Sequence, residues 1–315
     1  MDKLKEQFKI NAKDSEELRR RRVEEMVELR KATKDDQLTR RRKIDEDDSS
    51  PEEVLELNPQ EQQERLENIV AINNLMTGND PLQHLKGLKM AHNFLKTARP
   101  RPIDLFVTHG IVPKLVEYLK MEEHPEMQYI ACWVLTTVAF GNHEQTSAVV
   151  QAGAVDVLLH LFDSPVPRIV DQAIWCIGNI SGDGPEMKNH LLSRGLVTKL
   201  VQMAQSHKKL ASEHVSNIVR VWTMANLCEN PEYPSTDMQS CLSVFARRTF
   251  HKDMKVVREA LRGISMLSFK EEWLESIYNS NVLTEVVEFL RSEDRKLVKL
   301  SLKIIGHFAS GSDQQ

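Results

Sequence analysis

The chain has 315 residues, 41% hydrophobic and 28% charged, with a formal net charge of −4. That apolar content supports a core, yet no apolar run approaches the roughly 18 to 20 residues a membrane-spanning helix needs, and Met1 to Lys9 carries charges where a secretory signal has an apolar stretch. The four cysteines, Cys132, Cys176, Cys228 and Cys241, form no CxxC pair. Reduced, buried thiols are therefore expected, with no metal site and no disulfides, in the cytosol or nucleus.

Charge is divided unevenly. Residues 1–43 hold fifteen Lys/Arg and ten Asp/Glu, giving +5, and the remainder carries −9. A basic arm thus precedes an acidic body, which implies either an anionic partner for the arm or contact between arm and body. Asp14 followed by Glu17 has the form of a capping box, and Ser15 to about Arg40 runs without Pro or Gly, so one long helix is predicted. Its few large apolar residues, chiefly Leu18, Val23, Met26, Val27 and Leu29, cannot build a core of their own. Cationic residues cluster as Arg19, Arg20, Arg21 and Arg22 on the helix and as Arg40, Arg41, Arg42 and Lys43 beyond it, with Arg30 and Lys31 between. Such runs also suit phosphates, but Glu24, Glu25, Glu28, Asp35 and Asp36 interrupt them and would repel a polyanion. A protein partner is the better expectation than nucleic acid. Residues 44–60, acidic around Ser49-Ser50-Pro51, read as a flexible linker.

From about Glu61 to the end the pattern is helical, with no convincing alternating strand. His109-Gly110-Ile111-Val112, Ala152-Gly153-Ala154-Val155 and Arg194-Gly195-Leu196-Val197 mark turns at spacings of 43 and 42 residues. Asn281 continues the series 86 residues later, and Asn tolerates the left-handed conformation that Gly supplies at such corners. Each unit reads as a small helix, a turn and two longer helices. The last helix carries the phrase Trp-x-x-x-Asn, as Trp175/Asn179 and Trp222/Asn226, and degraded as Trp133/Thr137. Residues four apart share a helix face, so each phrase sets an indole beside an amide. Units that cannot bury their own apolar faces must stack, giving an all-α array with one continuous core over residues 61–315.

Two separate stretches resemble the armadillo-repeat importin alpha adaptors of nuclear import. Lys13-Asp-Ser-Glu-Glu-Leu-Arg-Arg-Arg-Arg-Val through Arg40-Arg-Arg-Lys43 is similar to that family's importin-beta-binding arm. Asp171-Gln-Ala-Ile-Trp-Cys-Ile-Gly-Asn-Ile-Ser-Gly-Asp183 is similar to its third-helix signature. The resemblance implies a right-handed superhelical solenoid of armadillo repeats, with the third helices lining its concave side. It implies two main partners: importin beta, bound by residues 1–43, and cargo proteins with Lys/Arg-rich localisation signals. Nucleoporins are further expected partners, and shuttling between cytoplasm and nucleus follows. The family has about ten repeats, whereas five and most of a sixth are counted here, so Val298, Leu302, Ile305 and Phe308 are expected to present an apolar face.

A localisation signal is an extended cationic peptide. Reading it requires partners for its backbone, slots for aliphatic stems and negative charge for cationic tips. Asn179 and Asn226 suit the first task, since a carboxamide both donates and accepts. Trp133, Trp175 and Trp222 suit the second, as indole walls worth roughly 0.5 to 2 kcal/mol per cation-π contact. Asp183 matches the family's acid for the key lysine, and Gln172, Gly141, Thr146 and Glu259 match other groove positions. Thr137 stands where the family has Asn, and Arg262 where it has Trp, so a narrowed groove centred on Trp133, Trp175 and Trp222 is expected. The second arm cluster would imitate cargo and compete for this groove until a carrier removes it. No cofactor and no catalytic residue is assigned, because HExxH, GxSxG and complete phosphate loops are missing and a repeat groove encloses little volume. Rival readings are an armadillo scaffold for signalling or adhesion, and a truncated regulatory form that binds without recycling.

Overall fold

The computed structural model describes residues 57–78, 80–205, 213–229 and 235–310. The basic arm 1–43, its predicted helix over 15–40 and all of the 44–60 linker but its last four residues lie outside them. Within the described residues every regular element is a helix.

The first two helices are α1 (Pro59–Thr77) and α2 (Pro81–Thr97). α1 begins inside the predicted linker because Asn58 and Glu61 cap each other reciprocally: the Glu61 N–H donates to Asn58 Oδ1 at 2.9 Å and the Asn58 N–H donates to Glu61 Oε2 at 3.0 Å. Pro59 fills the first turn, where its missing N–H costs nothing. Three full units follow: α3 (Ile103–Thr108), α4 (Ile111–Leu119) and α5 (Pro125–Val138); α6 (His143–Gln151), α7 (Ala154–Leu161) and α8 (Pro167–Ser181); α9 (Pro185–Leu192), α10 (Leu196–Gln205) and α11 (Glu213–Leu227). The expected pair of long helices is a short one and a long one: α7 has 8 residues and α8 has 15.

Gly110, Gly153 and Gly195 turn the corner between first and second helices with φ of 65°, 79° and 70°, and Asn281 does the same at 59°. These are the four corners read from the sequence. The fifth unit lacks one among the described residues, since α12 (Ser235–Arg248) runs unbroken for 14 residues before α13 (Met254–Leu267). The sixth is α14 (Glu271–Asn279), α15 (Leu283–Glu288), a 3₁₀ turn at Phe289–Arg291, and α16 (Arg295–Ala309).

The long helices stack in order, α2 on α5, then α8, α11, α13 and α16. One cluster of buried apolar side chains runs through the column from Ile69 to Ile304 without a break, as stacked units with no private core require. All four cysteines are free and buried within it, where burial pushes the Cys176 thiol up to about 12. On α16 the expected apolar face is only partly open: Leu302 is 57% exposed, whereas Val298, Ile305 and Phe308 are part-buried.

Candidate functional site

Stacking of α5, α8, α11 and α13 brings the predicted residues onto neighbouring helices, one period apart. Their environments differ sharply.

Trp133 and Trp175 are part-buried, packed against the core on one side. The imidazole of His92, on α2, meets the Trp133 indole edge-on at 4.2 Å between centroids. Burial, with a smaller effect of Lys96, holds the His92 pKa below its ordinary value, so this neighbour is an uncharged ring at neutral pH. The hydroxyl of Thr137, at the place of the missing amide, folds back to donate to Trp133 O at 3.1 Å.

Asn179 and Asn226 are 1% and 0% exposed. Each sends its amide N–H to the preceding long helix: Asn179 Nδ2 to Thr136 O at 2.8 Å, and Asn226 Nδ2 to Gly178 O at 3.1 Å. The repeated amide is therefore a cross-link between units, an internal role that spacing alone did not reveal. Their acceptor halves diverge. Asn179 Oδ1 is buried and has no hydrogen-bond partner among the described residues, whereas Asn226 Oδ1 accepts from Arg262 Nη2 at 2.9 Å.

Trp222 departs from the expected open wall. It is 2% exposed, and a Cβ added to Gly178 would lie 2.0 Å from its Cζ3, so the ring fills the space that the glycine leaves on α8. Of three weaker candidates, Thr146 and Gln172 are buried and Gly141 is part-buried. Thr146 is fully buried and donates to Ala139 O and Asn142 O, closing the end of α5 onto α6. Gln172 is buried and donates to Thr136 Oγ1 at 2.8 Å. A Cβ at Gly141 would fall 1.6 Å from Gln145 Oε1, so a larger residue there would push that side chain aside. That amide closes the capping box of α6 by accepting from the Asn142 N–H at 2.9 Å.

The two acids are both occupied. Asp183, with a side chain 2% exposed, pairs through Oδ2 with His143 Nδ1 at 2.6 Å, and His143 itself is 66% exposed. Glu259, 21% exposed, binds Arg262 Nε at 2.7 Å. His143 escaped the sequence reading; its distance of 40 residues from Asp183, close to one repeat, was the available signal. Lys303 and His307 hold the phrase positions on α16, where His307 Nδ1 contacts Ser268 Oγ at 2.8 Å. Among the described residues no group of three or more His, Cys, Asp or Glu is placed to hold a metal, and no helix is long and apolar enough to cross a membrane.

What remains partly accessible over α5 and α8 is a band with two part-buried indoles and the exposed His143; the unpartnered Asn179 Oδ1 and the Asp183 carboxylate of the same band are buried. Three-helix units stacked through their long helices, with such a band on those helices, define an armadillo-repeat protein. The armadillo/beta-catenin-like repeat profile matches residues 99–140 and 142–182, the first two full units, and the importin beta binding domain profile matches residues 4–89. The chain belongs to the importin alpha family. It is 32% identical over 320 residues to importin subunit alpha-2 of Caenorhabditis elegans, covering 98% of this chain and 59% of that protein. To importin subunit alpha-1b of Oryza sativa subsp. japonica it is 28% identical over 255 residues, covering 80% and 47%. The chain thus spans about half the length of the curated relatives it matches. Among solved structures, a designed armadillo repeat protein in complex with peptide (KR)4 is similar with a TM-score of 0.66 at 20% identity, covering 77% of this chain and 98% of that one. An engineered protein reaches 0.71 at 22%, covering 93% and 69%.

Proposed function

We propose that this chain is a non-enzymatic nuclear import adaptor. It grips Lys/Arg-rich localisation signals on the α5–α8 band and couples them to importin beta through residues 1–43, shuttling between cytoplasm and nucleus. The observation that carries the reading is the juxtaposition of Trp133, Trp175, Asn179 and Asp183: part-open aromatic walls, a buried amide oxygen without a partner, and a buried carboxylate covered by the exposed His143, which a peptide cation would displace. The family membership and the importin beta binding profile support the carrier half. A designed armadillo repeat protein of like fold, in complex with peptide (KR)4, supports the groove half by analogy of scaffold. Arg40 to Lys43 would compete for the same band from within the chain.

The test uses a fluorescein-labelled lysine-rich peptide and the full chain. Asp183→Asn removes a charge-assisted bond worth roughly 1.5 to 3 kcal/mol and is expected to weaken binding about tenfold or more. Alanine at Arg40, Arg41, Arg42 and Lys43 is expected to tighten it. Equal affinity for Asp183→Asn and the natural chain would defeat the groove assignment, and failure to retain importin beta in a pull-down would leave the scaffold reading in its place.

A further inference from the structure

We infer that Arg262 is a built-in occupant of the peptide face, one that ends the readable footprint at the third unit and makes the chain a reader of short basic clusters. The inference rests on the peptide-binding reading above and names its specificity determinant.

Arg262, on α13, projects onto the same phrase position that Trp133, Trp175 and Trp222 hold on their helices. Its guanidinium pairs with groups that a cationic ligand would seek there. Nε donates to Glu259 Oε2 at 2.7 Å, and Nη2 donates to Asn226 Oδ1 at 2.9 Å and to Trp222 O at 3.1 Å. Asn226 is fully buried, with an amide N–H on Gly178 O and its oxygen on Arg262, so it presents nothing to a peptide. Glu259 is the fifth unit's groove acid, and it is neutralised from within. The Arg262 side chain is only 15% exposed, so the ion pair is shielded from solvent and not easily displaced by a ligand.

One unit upstream the comparison reverses. Trp175 stays part-open where Trp222 is covered, and Asn179 Oδ1, though buried, is not taken by a cation as Asn226 Oδ1 is. A peptide cation beside Trp133 and Trp175 has only the exposed His143 to displace from Asp183, whereas a second cation near α13 meets the fixed positive charge of a largely buried Arg262 already paired with Glu259. Like charges at such separations disfavour binding. Additional basic residues in a cargo segment therefore contribute little.

The experiment compares two labelled peptides on the full chain at physiological salt, one with two adjacent lysines and one with five, in the same Gly/Ser context. For the natural chain the two dissociation constants should agree within about threefold. Arg262→Gln frees Glu259 and Asn226 and should favour the five-lysine peptide about tenfold more, while Glu259→Gln combined with Arg262→Gln should lose most of that gain. A general loosening of the fold would move both peptides together. Retained unfolding temperature confirms folding, and should Arg262→Gln not fold, the natural chain decides by itself: a gain above about tenfold on going from two lysines to five overturns the inference. An unchanged ratio in folded Arg262→Gln, with the two-lysine peptide still dependent on Asp183, overturns the Arg262 assignment alone. Loss of that Asp183 dependence means the peptide-binding reading has failed and this inference with it.

Discussion

Asn179 and Asn226 occupy equivalent places on successive helices and still differ in chemistry, because a carboxamide has two ends and the neighbouring unit decides what each end meets. On α8 the acceptor is left over; on α11 a guanidinium one repeat away consumes it. Glycine sets the matching contrast between Trp175 and Trp222. With hydrogen alone at position 178, the Trp222 ring descends onto α8, and a methyl group would meet Cζ3 at 2.0 Å and Thr223 Oγ1 at 2.6 Å. Gly178→Ala gains helix propensity of about 1 kcal/mol, but a buried indole with 2% exposure has little room to retreat, and overpacking typically costs about 1 to 3 kcal/mol. The clash should win, lowering the midpoint of thermal unfolding, and a smaller residue in Gly178→Ala/Trp222→Leu should recover part of the loss. An unchanged or raised midpoint for the single variant would show that the ring can tilt away at no cost.

At the level of elements, the repeat corners were the most legible part of the sequence, since a backbone at positive φ admits few residue types and those types advertise themselves. Gly110, Gly153, Gly195 and Asn281 all proved to be such corners. The prediction that follows is graded. Asn281→Gly should leave stability unchanged or slightly raised, because glycine relieves the strain at φ 59°. Gly153→Val forces a β-branched residue to φ 79° and should lower the unfolding midpoint by several degrees, at a cost on the order of 1 to 2 kcal/mol or more. Equal midpoints for Gly153→Val and the natural chain would refute the corner assignment. The fifth unit was illegible for the complementary reason: its unbroken α12 carries no glycine or asparagine where a corner would announce itself. Within the site, spacing identified which helices meet and which residue types they bring. It could not tell a part-open Trp175 from a sunken Trp222, because that depends on Gly178 and Arg262, each supplied by a different repeat. Nor could it show that Thr146, Gln172 and Gly141 hold helix ends and neighbouring units together, since a buried hydrogen bond and a ligand contact ask for the same residue types.

For the molecule as a whole, continuous stacking means that local titrations are felt along the array, and three histidines on α2, α9 and α16 make the direction of that effect definite. Burial first, and then the nearby Lys96, Arg194 and Lys303 respectively, hold His92, His190 and His307 below the ordinary imidazole value of 6.5. A group that is harder to protonate when folded binds more protons in the unfolded chain, so stability rises with pH across the window between its folded value and 6.5. Going down in pH, the loss begins near 6.5 and continues until the folded imidazoles are themselves protonated. At His190 the lowering is opposed by Asp156 and Glu186, so it contributes least, whereas His92 lies against the Trp133 indole and His307 against Ser268 and Phe269. Thermal unfolding followed by circular dichroism should therefore give a lower midpoint at pH 5.5 than at pH 7.5. His92→Gln, which keeps a polar side chain without the titration, should reduce the difference. A midpoint that rises on acidification through this window would mean that the folded chain takes up the protons, contrary to the burial of these rings.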